Sequence, residues 1–427
     1  MTLRLHVRPS SASSRRPLSL PSLLPALLFA ATTLPAGLAS AAERLTVTVS
    51  NSLDIARPSE TIVIPWTRVN DALPHALIQK LVVKDAAGRV LPYQVTNVAP
   101  QAKDPKNVGA AYGELLFQHD FAAGEQSATF TVEKSETLTA PFPPKAFARY
   151  IPERLDDFAW ENDKLAHRTY GPALSAPDSA KTGKEVLTTS GLDIWFKRVS
   201  YPIVDRWYNK GHDHYHHDEG EGIDMYNVGA SRGAGGTGIW DGKTLYTSGN
   251  WASWKVIANG PIRAVFELRY DTWDAAGTKV TEVKRFTTDA GHYFDRMDSI
   301  FTASGPSPLT VGIGLNKTPS DKGEEAKISY AENASDKSLV QWVVQKSKGD
   351  FGVALIVPGA AASPFTSDAR NALVLAPASA GQPLTYYIGA AWTRAGEITT
   401  QQQFQRLVAD EAARVRAPVQ IQLSSGG

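Results

Sequence analysis

The sequence has no cysteine among its 427 residues. Disulfide bonds and thiolate chemistry are therefore excluded, and stability has to come from the packed core alone. It also has no apolar run long enough to cross a membrane. The longest stretch, from Leu18 to Thr33, is interrupted by Pro21 and Pro25, and a spanning helix needs about 20 apolar residues.

The N-terminal segment instead has the three parts of a secretory signal peptide. Ala39-Ser40-Ala41 offers the small residues of a cleavage site, and the apolar stretch before it follows four arginines without any acidic residue: Arg4, Arg8, Arg15 and Arg16. We predict that residues 1–41 are a signal peptide and that the mature protein is periplasmic or secreted. The Arg15-Arg16 pair resembles a twin-arginine signal, so both export routes stay open.

The mature chain has no surplus of positive charge. Residues 1–41 hold four of the 44 lysines and arginines and none of the 43 acidic residues, which leaves 44 − 4 = 40 basic against 43 acidic residues. Nucleic-acid binding depends on neutralising many phosphates. We therefore expect no nucleic-acid partner, and no membrane association once the signal peptide is removed.

Short runs of alternating apolar and polar residues, separated by Asp, Gly and Asn, indicate an all-β, antiparallel fold. The clearest runs are residues 45–49, 61–66, 80–83, 126–132, 262–270, 280–286 and 339–344, with a hairpin turn at 85–89. They predict a small β-sandwich over residues 42–140 and a large one over 141–427. Helical spacing is clear only near the C-terminus, where we predict one helix at about residues 400–415 from this apolar set: Phe404, Leu407, Val408, Ala412 and Val415.

Two segments, residues 160–171 and 206–226, mix aromatic and charged residues that a simple sandwich core does not require. The second holds four of the nine histidines: His212, His214, His216 and His217. If that segment is extended, alternate histidines share one face and can bind a divalent metal ion together with a carboxylate. Acid–base chemistry by a neutral imidazole and a solvated loop are the other interpretations.

The glycine-rich run at residues 229–238 has the composition of a phosphate-binding loop but lacks the Gly-Lys-Ser/Thr ending. The residues that follow, 239–246, predict strand, turn and strand. Glycines in such a place let one backbone pass close to another or to a ligand. Arg232 is the one charged residue in the run, and we expect it to contact a substrate.

Tryptophan and tyrosine are frequent around these segments, beside acidic and basic residues. Aromatic faces stack on sugar rings, so this composition favours a carbohydrate cleft. The alternative is that most of these rings belong to the core, which is the usual place of large aromatic residues.

Both segments resemble motifs of a family of exported bacterial proteins from polysaccharide-degradation clusters, the domain of unknown function DUF4861. The matching runs are Trp160-Glu161-Asn162-Asp163, Arg168-Thr169-Tyr170-Gly171 and the run from Tyr215 to Gly229. The resemblance implies a galactose-mutarotase-like supersandwich. It also implies activity on uronic-acid oligosaccharides, by loss of water across C4 and C5 of a terminal uronate. His212 and His214 fall outside the family pattern.

Such an elimination needs a cation or hydrogen-bond donors, a base and an acid. We expect Arg168 to stabilise the developing negative charge, His216 to act as the base and Tyr170 or Tyr226 to act as the acid. Residues expected to bind the oligosaccharide are Trp160, Glu161, Asp163, Tyr215, Asp224 and Arg232. The expected cofactor is none or one divalent metal ion, held by His216 with Asp218 or Asp224. Asp218 and Glu219 are also expected to orient the His216 imidazole and to raise its basicity.

Three other functions remain open from the sequence. A polysaccharide lyase would use the same residues, with a sugar chain in place of water as the leaving group. A mutarotase-like isomerase or a glycoside hydrolase would instead rely on paired carboxylates, for which the candidates are Glu161, Asp163, Glu221 and Asp224. The last alternative is a non-catalytic carbohydrate-binding protein.

Overall fold

The computed structural model describes residues 44–96, 113–176, 186–305, 307–321 and 323–426. The predicted signal peptide lies outside these residues. Within the described ranges, no helix combines the length and the apolar character needed to cross a membrane.

The N-terminal part of the chain forms strands where the alternating pattern predicts them. Two short helices lie in this part, α1 (Trp66–Ala72) and a single 3-10 turn (Ile78–Lys80). Its strands are β1 (Arg44–Ser50), β2 (Arg57–Pro65), β3 (Leu81–Asp85), β4 (Val90–Leu91), β5 (Tyr93–Val95), β6 (Glu114–Phe121) and β7 (Ser127–Lys134). The predicted hairpin turn is confirmed, since the Asp85 N–H donates to the carbonyl of Arg89 at 3.0 Å.

The rest of the chain is also mainly strand. The strands are β8 (Phe147–Ile151), β9 (Asp157–Glu161), β10 (Leu165–Thr169), β11 (Asp193–Lys197), β12 (Gly222–Asp224), β13 (Ala234–Trp240), β14 (Leu245–Tyr246), β15 (Trp251–Ala258), β16 (Arg263–Ala275), β17 (Thr278–Asp289), β18 (Phe294–Ala303), β19 (Leu309–Asn316), β20 (Ala326–Asn333), β21 (Ser338–Gln345), β22 (Phe351–Ile356), β23 (Phe365–Ser367), β24 (Asn371–Ala378), β25 (Pro383–Trp392) and β26 (Gln420–Gly426). The helices are α2 (Pro172–Ser175), α3 (Val204–Lys210), α4 (His212–Tyr215) and α5 (Gln401–Arg416), with 3-10 turns at Pro152–Arg154 and Thr393–Ala395.

A broad eight-stranded sheet, in the order β15-β16-β17-β18-β25-β22-β21-β20, faces two five-stranded sheets. These have the orders β12-β11-β10-β9-β8 and β14-β13-β19-β24-β23. One core cluster joins all three sheets, with Trp160 and Ile313 from the five-stranded sheets against Phe286 and Tyr386 from the large sheet. The predicted all-β fold class with a large antiparallel sandwich is therefore confirmed.

The N-terminal strands enclose a separate core that includes Val47, Phe117 and Phe130. They form one sheet in the order β26-β1-β7-β3-β4 and a second in the order β2-β6-β5. The last strand of the chain therefore returns to this sandwich, where it pairs antiparallel with β1. The domain boundary predicted from the sequence assigned residues 420–426 to the large sandwich. An alternating pattern predicts a strand but does not show which sheet the strand joins.

The predicted C-terminal helix is present as α5. Its first turn has a capping box, in which the Thr400 side chain accepts from the Gln403 N–H at 3.2 Å. Its buried residues Phe404 and Val408 pack against Trp342 of the large sheet. The shorter helices were not predicted. They are one or two turns long, too short to display a periodic apolar face.

Residues 229–233 of the glycine-rich run form a loop, and residues 234–238 are the first part of β13. The predicted strand, turn and strand that follow the run are confirmed, since Ile239 of β13 pairs with Tyr246 of β14. Close backbone approach is confirmed as well, because a Cβ atom at Gly233 would lie 2.1 Å from the carbonyl oxygen of Leu192. Gly233 also has a φ of +57°, which other residues rarely adopt.

Candidate functional site

Charged side chains lie buried on the outer face of the sheet β12-β11-β10-β9-β8, beneath α3 and α4. Every residue of β9, β10 and β11 is buried, so both faces of this sheet are covered. Trp195, Trp207 and Tyr215 belong to the apolar cluster that joins the two helices to the outer face. The polar groups on this face are therefore shielded from water, which strengthens every electrostatic interaction among them.

Arg168 lies at the centre of this face and is bonded to carboxylates. Its Nε atom donates to Asp193 Oδ2 at 2.7 Å, and its Nη2 atom donates to Asp224 Oδ2 at 2.9 Å. Its Nη1 atom lies 3.7 Å from Asp157 Oδ2 and donates to the Tyr215 hydroxyl at 3.3 Å. We call these five residues the arginine network. Three carboxylates surround a guanidinium that is only 5% exposed. Arg168 therefore acts inside the protein and is not placed to stabilise negative charge developing on a substrate, which is the role that the sequence led us to expect.

Burial governs the protonation of this network. Desolvation raises the pKa of Asp193, raises that of Asp224 well above its ordinary value and raises that of Asp157 to about 6, while the charge of Arg168 opposes all three shifts. Asp193 and Asp224 also repel one another, so they titrate as a pair. The Tyr170 hydroxyl donates to Asp193 Oδ2 at 3.1 Å. Burial raises the pKa of Tyr170 well above its ordinary value, so this phenol keeps its proton.

His216 joins the arginine network to the protein surface. Its Nδ1 atom lies 3.0 Å from the carbonyl oxygen of Asp224, and its side chain is 30% exposed. Among the residues that the structure describes, none forms a hydrogen bond with the Nε2 atom. A proton on Nδ1, donated to that carbonyl, leaves Nε2 as an open acceptor. Burial, with a further contribution from the nearby charge of Arg168, lowers the pKa of His216, so the imidazole is neutral at neutral pH.

The histidine cluster is not extended, so the condition for a shared metal-binding face is not met. Residues 212–215 form one helical turn, because the glycine before it, with a φ of +96°, separates this turn from α3. The His212 and His216 rings are 4.7 Å apart, while His214 is paired with Glu219 at 3.1 Å. His217 Nδ1 lies 2.8 Å from the carbonyl of Asp213.

The predicted metal ligands are not arranged as a metal site. Asp218 is paired with Arg198 at 3.0 Å, and the carboxylate of Asp224 is bonded to Arg168. Over the described ranges of the chain, no group of three or more His, Asp or Glu side chains is suited to hold a metal ion. Neither Asp218 nor Glu219 orients His216, which is held by Asp224 instead, and burial lowers its basicity where we expected an increase.

Trp160, Glu161 and Asp163 do not line a cleft with His216. Trp160 is fully buried on the inner face of the sheet, where its Nε1 atom donates to Asp295 at 2.7 Å. Glu161 accepts from Lys197 Nζ at 2.6 Å and from the N–H of Val204 in the first turn of α3. Asp163 accepts from the N–H of Gly291 at 2.5 Å. Their expected substrate-binding roles are corrected to structural ones, because each polar group is bonded within the protein.

Of the remaining predicted residues, Tyr215 lies in the arginine network, whereas Tyr226 and Arg232 lie outside it. Tyr215 stacks on Trp195 at 4.9 Å and lies 4.8 Å from the His216 ring, so this member of the arginine network packs beside the imidazole. Tyr226 is 3% exposed, with its phenol near the backbone of Asn316, and burial raises its pKa. Arg232 lies on a different sheet, over β13 and β19. Of the residues expected at the site, these five therefore lie together, with only the imidazole reaching the surface: Arg168, Tyr170, Tyr215, His216 and Asp224.

Asp157 and Asp193 were missed by the sequence interpretation. A signal was present, since β11 reads Asp-Ile-Trp-Phe-Lys, with charged residues at both ends of a short apolar run. On a strand, Asp193, Trp195 and Lys197 share one face. Charges at such positions in a buried strand indicate an internal ion pair or a site.

Further charged residues belong to the surroundings of His216. Asp321 acts electrostatically on both His216 and Asp224, and it forms an ion pair with Lys348. The Lys348 side chain is 26% exposed. Arg394, which donates to the carbonyl of Ser347, approaches Asp218 at 3.9 Å. The surface around the open imidazole therefore offers both cations and carboxylates to a polar ligand.

Two sequence comparisons identify similar proteins. The family model described as Domain of unknown function (DUF4861) matches residues 49–421. A protein of Formosa agariphila described as uncharacterized protein P7 is 29% identical over 391 residues, which cover 89% of this chain and 94% of that protein. The similarity therefore extends over both sandwiches.

Two solved structures from Enterococcus faecalis also align with this chain. One is an alpha-mannosidase, at 9% identity and a TM-score of 0.46, and the other is a protein of glycosyl hydrolase family 38, at 8% identity and a TM-score of 0.47. Each alignment covers 90% of this chain but only 46% and 47% of the respective structure, so the chain spans about half the length of either. At these values the similarity carries no information about activity.

Proposed function

The chain belongs to the DUF4861 family, and we propose that it is a carbohydrate-active enzyme that acts on uronate-containing oligosaccharides by β-elimination. The observation that supports this proposal is the state of His216. It is a neutral imidazole with its Nδ1 atom held by the Asp224 carbonyl and its Nε2 atom open to the surface. The uronate substrate class comes from the motif residues that resemble the family.

The proposed step begins at Nε2 of His216, which removes the proton from C5 of the uronate. The electron pair of that C–H bond forms the C4–C5 double bond, and the bond from C4 to its oxygen breaks. The departing oxygen takes up a proton. We assign its donation to His212, which is 55% exposed and whose ring centroid lies 4.7 Å from that of His216. The leaving group is water in a dehydratase and a sugar chain in a lyase.

His212 takes the acid role that the sequence assigned to Tyr170 or Tyr226, because both phenols are almost fully buried. A surface cation must also replace Arg168 in stabilising the negative charge that develops beside the uronate carboxylate. We assign this role to Lys348, whose partner Asp321 acts electrostatically on His216. A substrate carboxylate can compete with Asp321 for that ammonium group.

The same geometry disfavours the hydrolase alternative. A glycoside hydrolase needs two carboxyl groups facing one sugar. Here Glu161 is bonded to Lys197, Asp224 to Arg168, and Glu221 to Arg206 at 2.7 Å. Carboxylates that are each satisfied by a protein cation are poor candidates for such a pair.

The test is to offer the purified protein a panel of uronate oligosaccharides and to follow ultraviolet absorbance of the unsaturated uronate. Mass spectrometry then separates the two forms of elimination, because a dehydratase removes water from an intact chain and a lyase shortens the chain. New reducing ends without absorbance would show hydrolysis and contradict the proposal. Dialysis against a chelator should leave the rate unchanged, since Asp218, Asp224 and Asp321, the carboxylates near His216, are each paired with an arginine or a lysine.

Export remains part of the proposal. The N-terminal arginines, apolar stretch and Ala39-Ser40-Ala41 sequence support a periplasmic or secreted location, where polysaccharide fragments are available. N-terminal sequencing of the protein recovered from a periplasmic or culture fraction should begin near Ala42. A mature protein that still begins at Met1 in the cytoplasmic fraction would contradict this location.

A further inference from the structure

Arg232 is a buried cation without a carboxylate partner. It is 3% exposed. Its Nη1 atom donates to the Ser190 hydroxyl at 2.8 Å and to the Thr237 carbonyl at 3.4 Å, and its Nη2 atom donates to the Thr189 hydroxyl at 3.4 Å. All three partners are neutral, and within the described part of the chain no carboxylate forms an ion pair with it. Arg168, equally buried, has three carboxylates around it.

The fold is shaped to accommodate this side chain. Arg232 follows β12 by eight residues and lies over the glycines of β13 and β19. A Cβ atom at Gly314 would be 2.8 Å from the Cβ and Cγ atoms of Arg232, so the arginine requires glycine there. Burial lowers the pKa of Arg232 to about 10, which still leaves the guanidinium charged at neutral pH. A buried, unpaired charge is costly, and an anion bound beside it would offset that cost.

Arg232 lines a cavity of about 340 Å³, together with Lys243, Thr244, Thr247, Asp368 and Arg370. Lys243 and Arg370 are exposed, and neither forms an ion pair with a carboxylate of the residues described. The Asp368 carboxylate is used inside its own loop, where it accepts from the N–H groups of Arg370 and Asn371, at 2.7 Å each. The cavity therefore carries three cations against one committed carboxylate. Its volume falls in the range of small-molecule sites, roughly 300–1,000 Å³.

We propose that Arg232, Lys243 and Arg370 form a binding subsite for an oxyanion group of a carbohydrate, either a sulfate ester or a carboxylate. The carbohydrate part of this inference rests on the proposed function, whereas the oxyanion part rests on the three cations alone. Guanidinium groups bind both oxyanions through paired N–H donors, and Thr244 and Thr247 offer hydroxyls for the neighbouring sugar oxygens.

The subsite is connected to the reaction site by the loop between Asp224 and Arg232. Eight residues of extended chain span at most about 28 Å, which sets an upper limit on the distance between the Asp224 and Arg232 backbones. A charged group held at Arg232 would select substrates by a substituent remote from the reacting uronate. This would raise affinity without entering the chemical step.

The test uses the intact mature protein, with isothermal titration of sodium sulfate, of glucuronate and of neutral glucose at constant ionic strength. The double variant Lys243→Ala/Arg370→Ala is suited to it because both side chains are exposed. We expect at least a tenfold loss of affinity for whichever oxyanion the wild type binds. The matched control is Lys327→Ala, which removes an exposed cation from β20 and should bind like the wild type. Arg232→Lys keeps the charge and loses the paired donors, so it should also weaken binding.

Preferential binding of sulfate would identify a sulfate ester as the group recognised, and preferential binding of glucuronate would identify a carboxylate. The inference is overturned if neither anion binds, if glucose binds as well as the anions, or if the double variant binds like the control. Turnover is not used in this test. Failure of the elimination proposal would therefore leave anion binding intact, and loss of anion binding would leave the role of His216 untouched.

Discussion

The Nδ1 atom of His216 lies 3.0 Å from the carbonyl oxygen of Asp224, and the carboxylate of the same aspartate lies 2.9 Å from Arg168. One residue thus orients the exposed imidazole through its backbone and closes the buried arginine network through its side chain. The position of the proposed base therefore depends on a group of charges that the substrate does not touch. Changes in the network are expected to reach activity through the orientation of His216.

Replacing His216 with alanine should lower turnover by about 100-fold or more, the usual contribution of a general base. Folding should be retained, because the side chain is partly exposed and makes one hydrogen bond to backbone. The measurement is kcat on a verified uronate substrate, together with urea unfolding of the variant. His217→Ala is the matched control, since that imidazole is exposed and also bonds a backbone carbonyl through Nδ1.

His212→Ala separates the two imidazoles of the proposed step. If His212 supplies the proton to the leaving oxygen, its loss should lower turnover with a poor leaving group more than with a good one. A His216→Ala variant with near-normal turnover would place the base elsewhere. A His212→Ala variant that loses no activity would return the acid role to another group.

Activity should fall on the acid side as His216 becomes protonated. Since burial lowers the pKa of this imidazole, the acid limb of kcat/KM should lie below the ordinary histidine value of about 6.5. The residual rate of His216→Ala should lack this limb. A limb well above pH 6.5 that disappears in the variant would mean that a carboxylate raises the basicity of His216, as the sequence first suggested.

The sequence predicts the strands well because each strand has its own alternating pattern. An elimination site needs a cation, a base and an acid together, and this requirement led us to assign residues from two distant segments to one site. Five of them lie together in the structure: Arg168, Tyr170, Tyr215, His216 and Asp224. The sequence does not distinguish a site from an internal ion pair on a strand that is buried on both faces. On such a strand, a charged residue of a binding site and a charged residue of an internal ion pair have the same sequence pattern. Only the distance from the charged group to its partner in the structure distinguishes them.

Glu161 illustrates this limit and gives a prediction. Glu161→Ala should destabilise the protein by about 3–5 kcal/mol, because it leaves the ammonium group of Lys197 buried without its partner. Urea unfolding gives the free energy. Glu219→Ala is the matched control, since its ion pair with Lys210 is exposed and such pairs contribute about 0–1 kcal/mol. Full stability combined with a raised KM would instead restore Glu161 to the substrate site.

Asp157 gives a prediction about stability and pH. Burial raises its pKa from an ordinary 3.8 to about 6 in the folded protein, against the attraction of Arg168 and Arg154. A raised pKa means that the folded state binds the proton more tightly than the unfolded chain does. The resulting stabilisation is fully present below pH 3.8 and is lost as pH rises through about 6.

Asp157→Asn removes this titration while keeping an oxygen that accepts from the Tyr208 hydroxyl, 3.0 Å away in the wild type. Relative to the variant, the wild type should therefore lose on the order of 3 kcal/mol of unfolding free energy between pH 4 and pH 7. Urea unfolding across that range measures the difference, and it cancels the contributions of the other buried carboxylates that both proteins share. Asp213→Asn, at a fully exposed side chain, should follow the wild type throughout. If the wild type instead gains stability over the variant as pH rises, the charges of Arg168 and Arg154 outweigh desolvation, and Asp157 is an ionised member of the arginine network at all pH values where the protein folds.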